Sequence, residues 1–279
     1  RYIVPTITVI LPVYNGASYI RAAIESILSQ SFSDFELIII NDGSSDDSEA
    51  IIRSMSDPRI HFLQQENHGL AATLNIAIGM ASGEFIARQD QDDISSKYRL
   101  QRQVEFLRLN PDVGMVGSNA EIWVNDKKTD RVLAHPTDDA SIHFALLFDN
   151  PFVHSSVMLR RSVFERVGGY CEDKARQPPE DYELWSRIAR DFKLANIPEN
   201  LLAYCEVPGS MSRSGLNPFL HRLIKISGEN ISWQTGRAMD APEIVAMSRL
   251  AHGVYEGIPP GVRFPMLEAL LKEAAASIS

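Results

Sequence analysis

The chain has 279 residues, 44% of them hydrophobic, and a formal net charge of -9. This length allows one large domain or two small ones, with ample apolar material for a core. Because the balance is acidic and no Lys/Arg-rich run occurs, attraction to a nucleic-acid backbone or an anionic bilayer is excluded, and we expect no nucleic-acid partner.

Targeting and redox signals are weak in this sequence. Residues 1–5 lack a basic segment followed by an apolar one, and no apolar run approaches the ~18 residues of a membrane span. Cys171 and Cys205 are the two cysteines, too few for a disulfide framework and without metal-ligand spacing. We therefore expect a cytoplasmic protein with two reduced thiols and no transmembrane segment. At most it would make weak peripheral contact with the inner face of the cell membrane.

The first hundred residues alternate between apolar strands and helices. Strands are predicted over 7–11, 35–40, 59–64 and 84–88, and helices over 18–30, 46–55 and 69–81. Near-continuous apolar strands alternating with helices indicate a parallel sheet covered on both faces. Ligands of such sheets bind beyond the carboxyl ends of the strands. The loops at 12–16, 41–46 and 90–93 should therefore share one edge.

The rest of the chain has a mixed pattern. A helix is predicted at about 99–109, strands around 115–124 and 131–133 with a turn at 125–127, a helix near 140–148 and a strand at 156–159. From residue 216 the pattern is helical, with Asp240 and Pro242 opening one helix and Gly261 preceding another. We predict one domain over 1–215, with halves at 1–98 and 99–215, and a helical extension of unknown duty over 216–279.

Three carboxylates stand within four residues after the fourth predicted strand. Asp90, Asp92 and Asp93 repel one another unless a divalent cation or hydrogen-bond donors neutralise them. The alternative is an acidic turn in which Asp93 or Ser95 caps the next helix. The cluster alone leaves metal binding and capping equally open.

The two preceding loops of this edge could read a nucleobase. Asp42 follows the second strand, and its carboxylate can accept a hydrogen bond from the N3–H of uracil or thymine. Backbone groups of residues 12–14 could read the other edge of the ring. Each loop alone is as well explained by an ordinary strand-to-helix turn. Their coincidence on one edge favours a pocket for a pyrimidine nucleotide.

Two further acids, Glu180 and Asp181, begin a predicted helix whose apolar face includes Trp185. Capping of the helix by acids in its first turn is a strong alternative to function. The functional interpretation is a general base, because a hydroxyl attacks a saturated carbon at useful rates only when its proton is taken. His154 is either a contact in the wall of the site or a satisfied core histidine.

Taken together, these segments resemble a family 2 glycosyltransferase of the GT-A fold, in the bacterial branch that builds surface polysaccharides. The matching segments are VILPVYN (9–15), INDGSSD (40–46), NHGLAATLN (67–75), DQDD (90–93), NPFVH (150–154) and EDYELW (180–185). They cover roughly residues 7 to 190 in the family's order and are more specific together than any one motif. The resemblance implies an α/β GT-A fold, with a nucleotide-binding half over 1–98 and an acceptor-side half over 99–215.

The resemblance also implies roles for individual residues. Asp90 would contact the ribose, Asp92 would bind Mn²⁺ or Mg²⁺ on the diphosphate, and Asp181 would be the catalytic base, with Glu180 as its neighbour. The other expected nucleotide-binding positions are Pro12, Val13, Tyr14, Asn15, Asp42, Gly69 and Asn75, and the expected wall of the donor-sugar or acceptor site is His154 and Trp185. Family members invert the anomeric centre, so an α-linked sugar nucleotide would give a β-glycoside.

The implied activity is metal-dependent transfer of a hexosyl or N-acetylhexosaminyl unit. The donor would be a UDP-sugar, with a dTDP-sugar as the alternative, and the acceptor a hydroxyl of a glycan or lipid-linked molecule. One departure from the family concerns an Arg-x-His element that many relatives carry after the helix of the base. The corresponding positions here are Cys205 and Val207, so the diphosphate would be held more weakly, or by Arg213 or another residue of the same loop.

Two other functions fit parts of the pattern. A sugar-nucleotide pyrophosphorylase would need a Gly-rich loop after the first strand, where this chain has PVYNG at 12–16. A non-catalytic module that only binds a sugar nucleotide or glycan would not need Asp90, Asp92 and Asp181 together. The donor sugar and the glycan acceptor depend on a few pocket contacts that the sequence pattern does not specify.

Overall fold

The computed structural model describes residues 4–207 and 219–278. The strands are β1 (Ile7–Val13), β2 (Phe35–Asp42), β3 (Ile60–Gln65), β4 (Phe85–Arg88), β5 (Ile94–Ser95), β6 (Val113–Val124), β7 (Lys127–Leu133), β8 (Met158–Arg160) and β9 (Lys193–Glu206). The helices are α1 (Ile20–Leu28), α2 (Ser48–Arg53), α3 (Leu70–Met80), α4 (Arg99–Leu109), α5 (Asp139–Leu146), α6 (Arg161–Val167), α7 (Glu180–Ile188), α8 (Leu220–Thr235), α9 (Pro242–Leu250) and α10 (Phe264–Ser277), with a short 3-10 helix at His154–Ser156.

The strands form one mixed sheet in the order β3-β2-β1-β4-β8-β6-β9-β5, with β7 paired to β6. The first four strands are parallel where they pair, while β8 runs antiparallel to both β4 and β6. This arrangement confirms the predicted parallel first half and the mixed second half. Because β1 lies between β2 and β4 in parallel register, the carboxyl ends of these three strands come to one edge.

The apolar side chains of β1 point alternately to two cores, one on each face of the sheet. Val9 and Leu11 pack in the same core as Ile24 of α1, whereas Ile10 packs in the other core with Leu74 of α3 and Trp185 of α7. Strands that bury both faces need apolar residues at successive positions, which explains the continuous run at residues 7–13. The two cores fix the sheet edge from which the site is built.

The structure contains a 14-residue strand, β9, that the sequence pattern did not predict. It pairs in parallel with β6, and the register slips between Ser118–Ile197 and Asn119–Asn200. The slip leaves Pro198 and Glu199 outside the regular pairing. Because proline has no backbone N–H, its place at an unpaired position costs no hydrogen bond between the strands. Helix α6 was also not predicted.

The capping role considered for Asp93 and Ser95 is wrong. Ser95 belongs to the short strand β5, which pairs antiparallel with β9. Helix α4 begins only at Arg99, and Tyr98 precedes it without a side-chain cap. The predicted end of the second strand is also corrected, because Asn41 and Asp42 continue the pairing with β3 rather than forming a turn.

The predicted helical extension is present as α8, α9 and α10, and α8 packs directly on the rest of the protein. Ile226 lies in the core that contains Trp185. The side chain of Asn230 donates hydrogen bonds to the Leu146 carbonyl (2.7 Å) and to the Ser186 hydroxyl (2.8 Å). The predicted boundary at 215/216 lies outside the described residues and stays a prediction. None of the described helices has the length and apolarity needed to span a membrane.

Candidate active site

The three predicted loops meet at the carboxyl edge of the sheet. The backbone N–H of Tyr14 donates to Gln91 Oε1 (2.9 Å), and Gln91 Nε2 donates back to the Tyr14 carbonyl (3.1 Å). On the other side, Asn15 N–H donates to the Ser44 hydroxyl and Asn15 Oδ1 accepts from Ser45 N–H, both at 2.9 Å. The end of β1 is therefore joined to both neighbouring loops. Pro12 and Val13 are buried as the last residues of β1, while the Tyr14 ring is exposed.

Asp42 is almost fully buried, and the loop after β3 satisfies most of its carboxylate. It accepts from Gln65 Nε2 (2.7 Å), His68 N–H (2.8 Å) and Gly69 N–H (2.9 Å). Gly69 has a φ of 87°, a conformation that favours glycine and turns the chain into α3. An ionised carboxylate has about four acceptor sites, so room remains for one further donor. The nucleobase contact of Asp42 stays a prediction, as does the role of Gly69.

Asn75 in α3 has a tethering contact that the sequence did not predict. Its Oδ1 accepts from Tyr170 N–H (2.8 Å), and its Nδ2 donates to the Tyr170 carbonyl (2.9 Å) and to Glu172 Oε1 (2.7 Å). Both ends of the amide group are thus engaged in holding the segment after α6. The nucleotide-binding role expected for Asn75 stays a prediction, and a nucleotide would have to displace these contacts.

Asp90 is held by a buried arginine. Arg88, at the end of β4, is only 1% exposed and forms an ion pair of 2.5 Å with Asp90 Oδ1. The Asp90 N–H donates to the Ser155 hydroxyl (3.0 Å). Arg88 Nε is buried without a protein partner. A buried cation beside the acidic loop offsets part of the repulsion among its carboxylates.

The other two acids of the loop differ in their surroundings. Burial, followed by the charge of Asp90, raises the pKa of Asp92 to about 6. Asp93 is buried and accepts from the Cys205 N–H (2.9 Å), which ties the loop to β9. In the part of the chain that the structure describes, no group of three His, Cys, Asp or Glu side chains could hold a metal ion by itself. The single carboxylate of Asp92 could still bind an ion whose other ligands are diphosphate oxygens and water, a ligand set that is usual for Mg²⁺.

Glu180 and Asp181 form a carboxylate pair at the start of α7. Asp181 Oδ2 accepts from Asn150 Nδ2 (2.7 Å), and its Oδ1 accepts from the Tyr182 N–H (2.7 Å). Burial, followed by the charge of Asp181, raises the pKa of Glu180 to about 7. Glu180 is therefore about half protonated near neutral pH. The predicted apolar face of α7, which includes Trp185, is fully buried.

His154 stands between this pair and a buried tyrosine. Its Nε2 lies 2.8 Å from the Tyr170 hydroxyl, and its Nδ1 lies 3.9 Å from Glu180 Oε1 and 4.0 Å from Asp181 Oδ2. Burial, together with the charge of Arg88, lowers the pKa of His154 to about 4, so the ring is neutral at neutral pH.

The Trp185 ring packs edge-on against the His154 ring, with the ring centres 5.7 Å apart. Trp185 itself is fully buried, so it forms the layer behind His154 in the expected wall. Its contact with a donor sugar or a glycan acceptor stays a prediction, as does that of His154.

The acidic loop and the carboxylate pair belong to one electrostatic cluster. The charge of Arg88 lowers the pKa of Glu180, and the charge of Asp90 raises it. The sequence pattern assigned no role to Arg88, Asn150 or Tyr170. Asn150 opens the NPFVH segment and Arg88 stands two residues before Asp90, so both lie beside recognised motifs, whereas the contact of Tyr170 with His154 depends on tertiary structure.

The positions that depart from the family's Arg-x-His element lie at the end of β9. Burial, followed by the charge of Asp93, raises the pKa of the Cys205 thiol to about 12, so it stays protonated. Val207 is the last described residue before the gap. Arg213 lies outside the described residues.

Comparisons with known proteins identify the family of the chain. The sequence model described as Glycosyl transferase family 2 matches residues 8–168. An uncharacterized glycosyltransferase of Haemophilus influenzae is 33% identical over 241 residues, which cover 82% of this chain and 74% of that protein. The O-antigen biosynthesis glycosyltransferase WbnJ of Escherichia coli is 33% identical over 210 residues, covering 72% and 80% of the two chains.

Solved structures share the fold. Staphylococcus aureus TarS 1-349 in complex with UDP-GlcNAc matches with a TM-score of 0.67 and 18% identity, over 98% of this chain and 81% of that one. The mannosyltransferase PcManGT from Pyrobaculum calidifontis, in complex with GDP-Man and Mn²⁺, matches with a TM-score of 0.59 and 19% identity, over 99% and 88%. These similarities confirm the GT-A fold that the sequence predicts.

Proposed function

The chain belongs to glycosyl transferase family 2, and from that premise we propose that it transfers a hexosyl or N-acetylhexosaminyl unit from a nucleotide sugar to a hydroxyl, with inversion of the anomeric carbon. The donor is a UDP-sugar, with a dTDP-sugar as the alternative. TarS, which shares the fold, binds UDP-GlcNAc, and WbnJ acts in O-antigen biosynthesis. The first supports a UDP-sugar donor, and the second supports a glycan or lipid-linked acceptor in the synthesis of a bacterial cell-surface polysaccharide.

The observation that carries this proposal is the meeting of two sets of carboxylates from distant parts of the sequence. Asp90 and Asp92 follow β4, whereas Glu180 and Asp181 begin α7, and the buried Arg88 influences both sets. Transfer of a sugar from a nucleotide diphosphate needs groups that stabilise the charge of the departing diphosphate and a base that accepts the proton of the attacking hydroxyl. The cluster holds candidates for both tasks.

The nucleotide would bind across the joined loops of the sheet edge. The backbone of residues 12–15 and the remaining acceptor site of Asp42 would contact the pyrimidine, while Asp90 would contact the ribose. Gly69 and Asn75 would complete this side. Ligands of parallel sheets bind at this edge, where three strands end together.

Asp92 would hold Mn²⁺ or Mg²⁺ together with diphosphate oxygens and water. The metal, when bound, would act as a Lewis acid that stabilises the charge gained by the departing diphosphate. The Mn²⁺ bound to PcManGT supports a divalent ion.

Asp181 would act as the base. Its carboxylate takes the proton of the attacking hydroxyl while the hydroxyl oxygen bonds to the anomeric carbon. The bond from that carbon to the diphosphate breaks, and its electron pair leaves with the diphosphate. Asn150 fixes the orientation of Asp181. The raised pKa of Glu180 keeps part of it protonated near neutral pH, and the protonated form does not compete for this proton.

The test is Asp181→Asn, which preserves the shape of the side chain but cannot accept the proton. We expect the variant to bind the donor and Mn²⁺ nearly as the parent does, and to lose roughly 10²-fold or more in turnover, the scale of general-base contributions. Donor affinity and turnover are measured on the same preparation. Normal turnover would exclude the role, and loss of both would indicate a structural cap.

Asp92→Ala is the companion variant. In a thermal-shift assay it should lose the stabilisation that UDP gives in the presence of Mn²⁺, because a ligand stabilises a protein only while it binds the native state. Asp181→Asn should keep that stabilisation. Parent-like behaviour of Asp92→Ala would show that the metal assignment is wrong. Slow hydrolysis of a UDP-sugar by the parent would separate an enzyme from a module that only binds.

A further inference from the structure

We propose that Tyr170 is a positioning residue for the carboxylate pair of Glu180 and Asp181, and that it acts through the ring of His154. The inference rests on the proposed role of Asp181 as the base. It adds two residues to that site, one of which, Tyr170, no motif of the sequence indicates.

The first step is the geometry of the chain of contacts. Tyr170 is 4% exposed, and its hydroxyl lies 2.8 Å from His154 Nε2. The opposite ring nitrogen, Nδ1, faces Glu180 Oε1 at 3.9 Å and Asp181 Oδ2 at 4.0 Å. These last separations exceed a hydrogen bond, so the ring acts on the pair as an oriented dipole.

The second step is the position of the histidine proton. If Nε2 carried it, the lone pair of Nδ1 would face Asp181 Oδ2, itself a hydrogen-bond acceptor, which is repulsive, and the tyrosine hydroxyl would need another acceptor. If Tyr170 donates to Nε2, the proton sits on Nδ1 and points toward Glu180 and Asp181. The hydrogen bond on one ring nitrogen decides which tautomer is present. The geometry therefore selects the Nδ1–H form.

The third step concerns charge. Burial lowers the pKa of His154 to about 4 and raises the pKa of Tyr170, so both groups are neutral at neutral pH. The charged groups that face them are Arg88 and Asp90 from the end of β4 and the carboxylate pair from α7. A neutral ring aims an N–H at the pair without adding a second buried cation beside Arg88. An N–H dipole aimed at the pair stabilises negative charge that develops on it.

The last step is how firmly Tyr170 is held. Asn75 bonds both backbone groups of Tyr170, accepting from its N–H and donating to its carbonyl. The Tyr170 ring packs edge-on against Trp185, with ring centres 6.3 Å apart. Neither contact involves the hydroxyl, so Tyr170→Phe should keep the ring in place and remove only the hydrogen bond.

Tyr182 supplies a matched control. It is also buried, and its hydroxyl donates a 2.8 Å hydrogen bond, but the acceptor is the carbonyl of Leu146, the last residue of α5. Tyr182→Phe therefore removes the same kind of bond without touching His154. Any general cost of losing a buried hydroxyl should appear equally in both variants.

The first readout needs no substrate. In ¹⁵N-histidine NMR of the whole chain, with the His154→Gln variant to identify the signal, we expect His154 to be neutral and in the Nδ1–H form from pH 6 to 8. Tyr170→Phe should lose that preference and Tyr182→Phe should keep it. An Nε2–H signal in the parent, or an unchanged signal in Tyr170→Phe, would overturn the inference.

The second readout is the pH profile of UDP release. The substrate is whichever of UDP-GlcNAc, UDP-Glc and UDP-Gal stabilises the protein most in Mn²⁺. Tyr170→Phe should lower kcat roughly 3- to 10-fold with an unchanged KM, and move the acid limb of kcat up by about 0.5 pH unit. Tyr182→Phe should do neither. If Asp181→Asn is inactive while Tyr170→Phe keeps the parent profile, only the positioning role falls. If Asp181→Asn is fully active, the proposed base itself is wrong.

Discussion

Asp42 illustrates how one side chain can serve the fold and a ligand at once. Its carboxylate accepts from the backbone of His68 and Gly69 and from Gln65. We predict that Asp42→Ala weakens UDP binding about 10-fold or more and lowers the free energy of unfolding by about 1–3 kcal/mol, because two backbone N–H groups lose their partner. Titration calorimetry with UDP and urea unfolding measure the two effects.

Gln65→Ala separates the two roles of Asp42, since it removes one donor but keeps the carboxylate and the backbone contacts. It should lower stability and leave UDP affinity within about threefold of the parent. Equal loss of UDP affinity in both variants would mean that Asp42 acts only by holding the loop.

Glu180 gives the molecule a distinctive pH dependence. Burial and the charge of Asp181 raise its pKa from the ordinary 4.5 to about 7 in the folded protein. A group whose pKa is raised on folding stabilises the protein fully below its unfolded pKa, and that stabilisation is lost as the pH rises through the folded value. As the pH rises from 4.5 to 7, the contribution of Glu180 should therefore lower the free energy of unfolding by up to about 3 kcal/mol.

We predict that Glu180→Gln, which is neutral at every pH, is more stable than the parent at pH 8 and has a flatter stability profile between pH 5 and 8. Urea unfolding at each pH measures this. Glu165→Gln, at an exposed position on α6, is the control and should follow the parent. Parallel profiles for Glu180→Gln and the parent would show that Glu180 ionises normally.

At the residue scale, the sequence located the acids but not their partners. Asp90 to Asp93 and the Glu180–Asp181 pair are local patterns, and their spacing along the chain is enough to identify them. Arg88 stands only two residues before Asp90, so their ion pair is local and the sequence offered it as a candidate. The contact of Tyr170 with His154 depends on where segments meet in space, which no periodicity or turn signal reports, so Tyr170 could not be predicted.

At the scale of elements, prediction worked where periodicity was clean. β1, β2 and β4 bury both faces, whereas β3 lies at the edge of the sheet and is only half-buried, yet the sequence pattern locates all four strands within two residues. Strand β9 was missed because Pro198, Glu199 and Asn200 interrupt its apolar run at the slip in its pairing with β6. These three residues are typical of a turn, and the segment is a strand only because it pairs with β6.

At Gly83, just before β4, the backbone of β1 leaves no room for a side chain. A Cβ there would lie 2.5 Å from Thr8 N and 2.7 Å from the Ile7 carbonyl carbon, both backbone atoms of β1. We predict that Gly83→Ala destabilises the protein by about 1–3 kcal/mol, the usual cost of overpacking, because β4 must move away from β1. Urea unfolding measures the loss.

Gly79 in α3 is the matched control, since a Cβ there meets nothing within 4 Å. Gly79→Ala should stabilise the protein by about 0.5–1 kcal/mol, the helix preference of alanine over glycine. The opposite signs of the two substitutions test the packing argument. A parent-like Gly83→Ala would contradict the close approach of β4 to β1.

At the scale of the whole molecule, the question is whether residues 216–279 form a separate unit, as the sequence predicts. Several contacts join α8 to the rest. Asn230 bonds α5 and α7, Arg176 pairs with Glu229 at 2.7 Å, and Ile231 packs with Leu147. Burial of polar groups that are satisfied only across an interface couples the stability of its two sides.

We predict that these helices unfold together with the sheet. The three tryptophans allow a direct test, because Trp123 lies in β6, Trp185 in α7 and Trp233 in α8. In 5-fluorotryptophan-labelled protein, all three ¹⁹F signals should lose their native intensity at one urea concentration. Asn230→Ala should lower that midpoint equally for all three, since it removes two buried hydrogen bonds that join α8 to α5 and α7. Lys272→Ala on the exposed face of α10 should not lower it. Earlier loss of the Trp233 signal, with Asn230→Ala shifting that signal alone, would establish the extension as an independent domain.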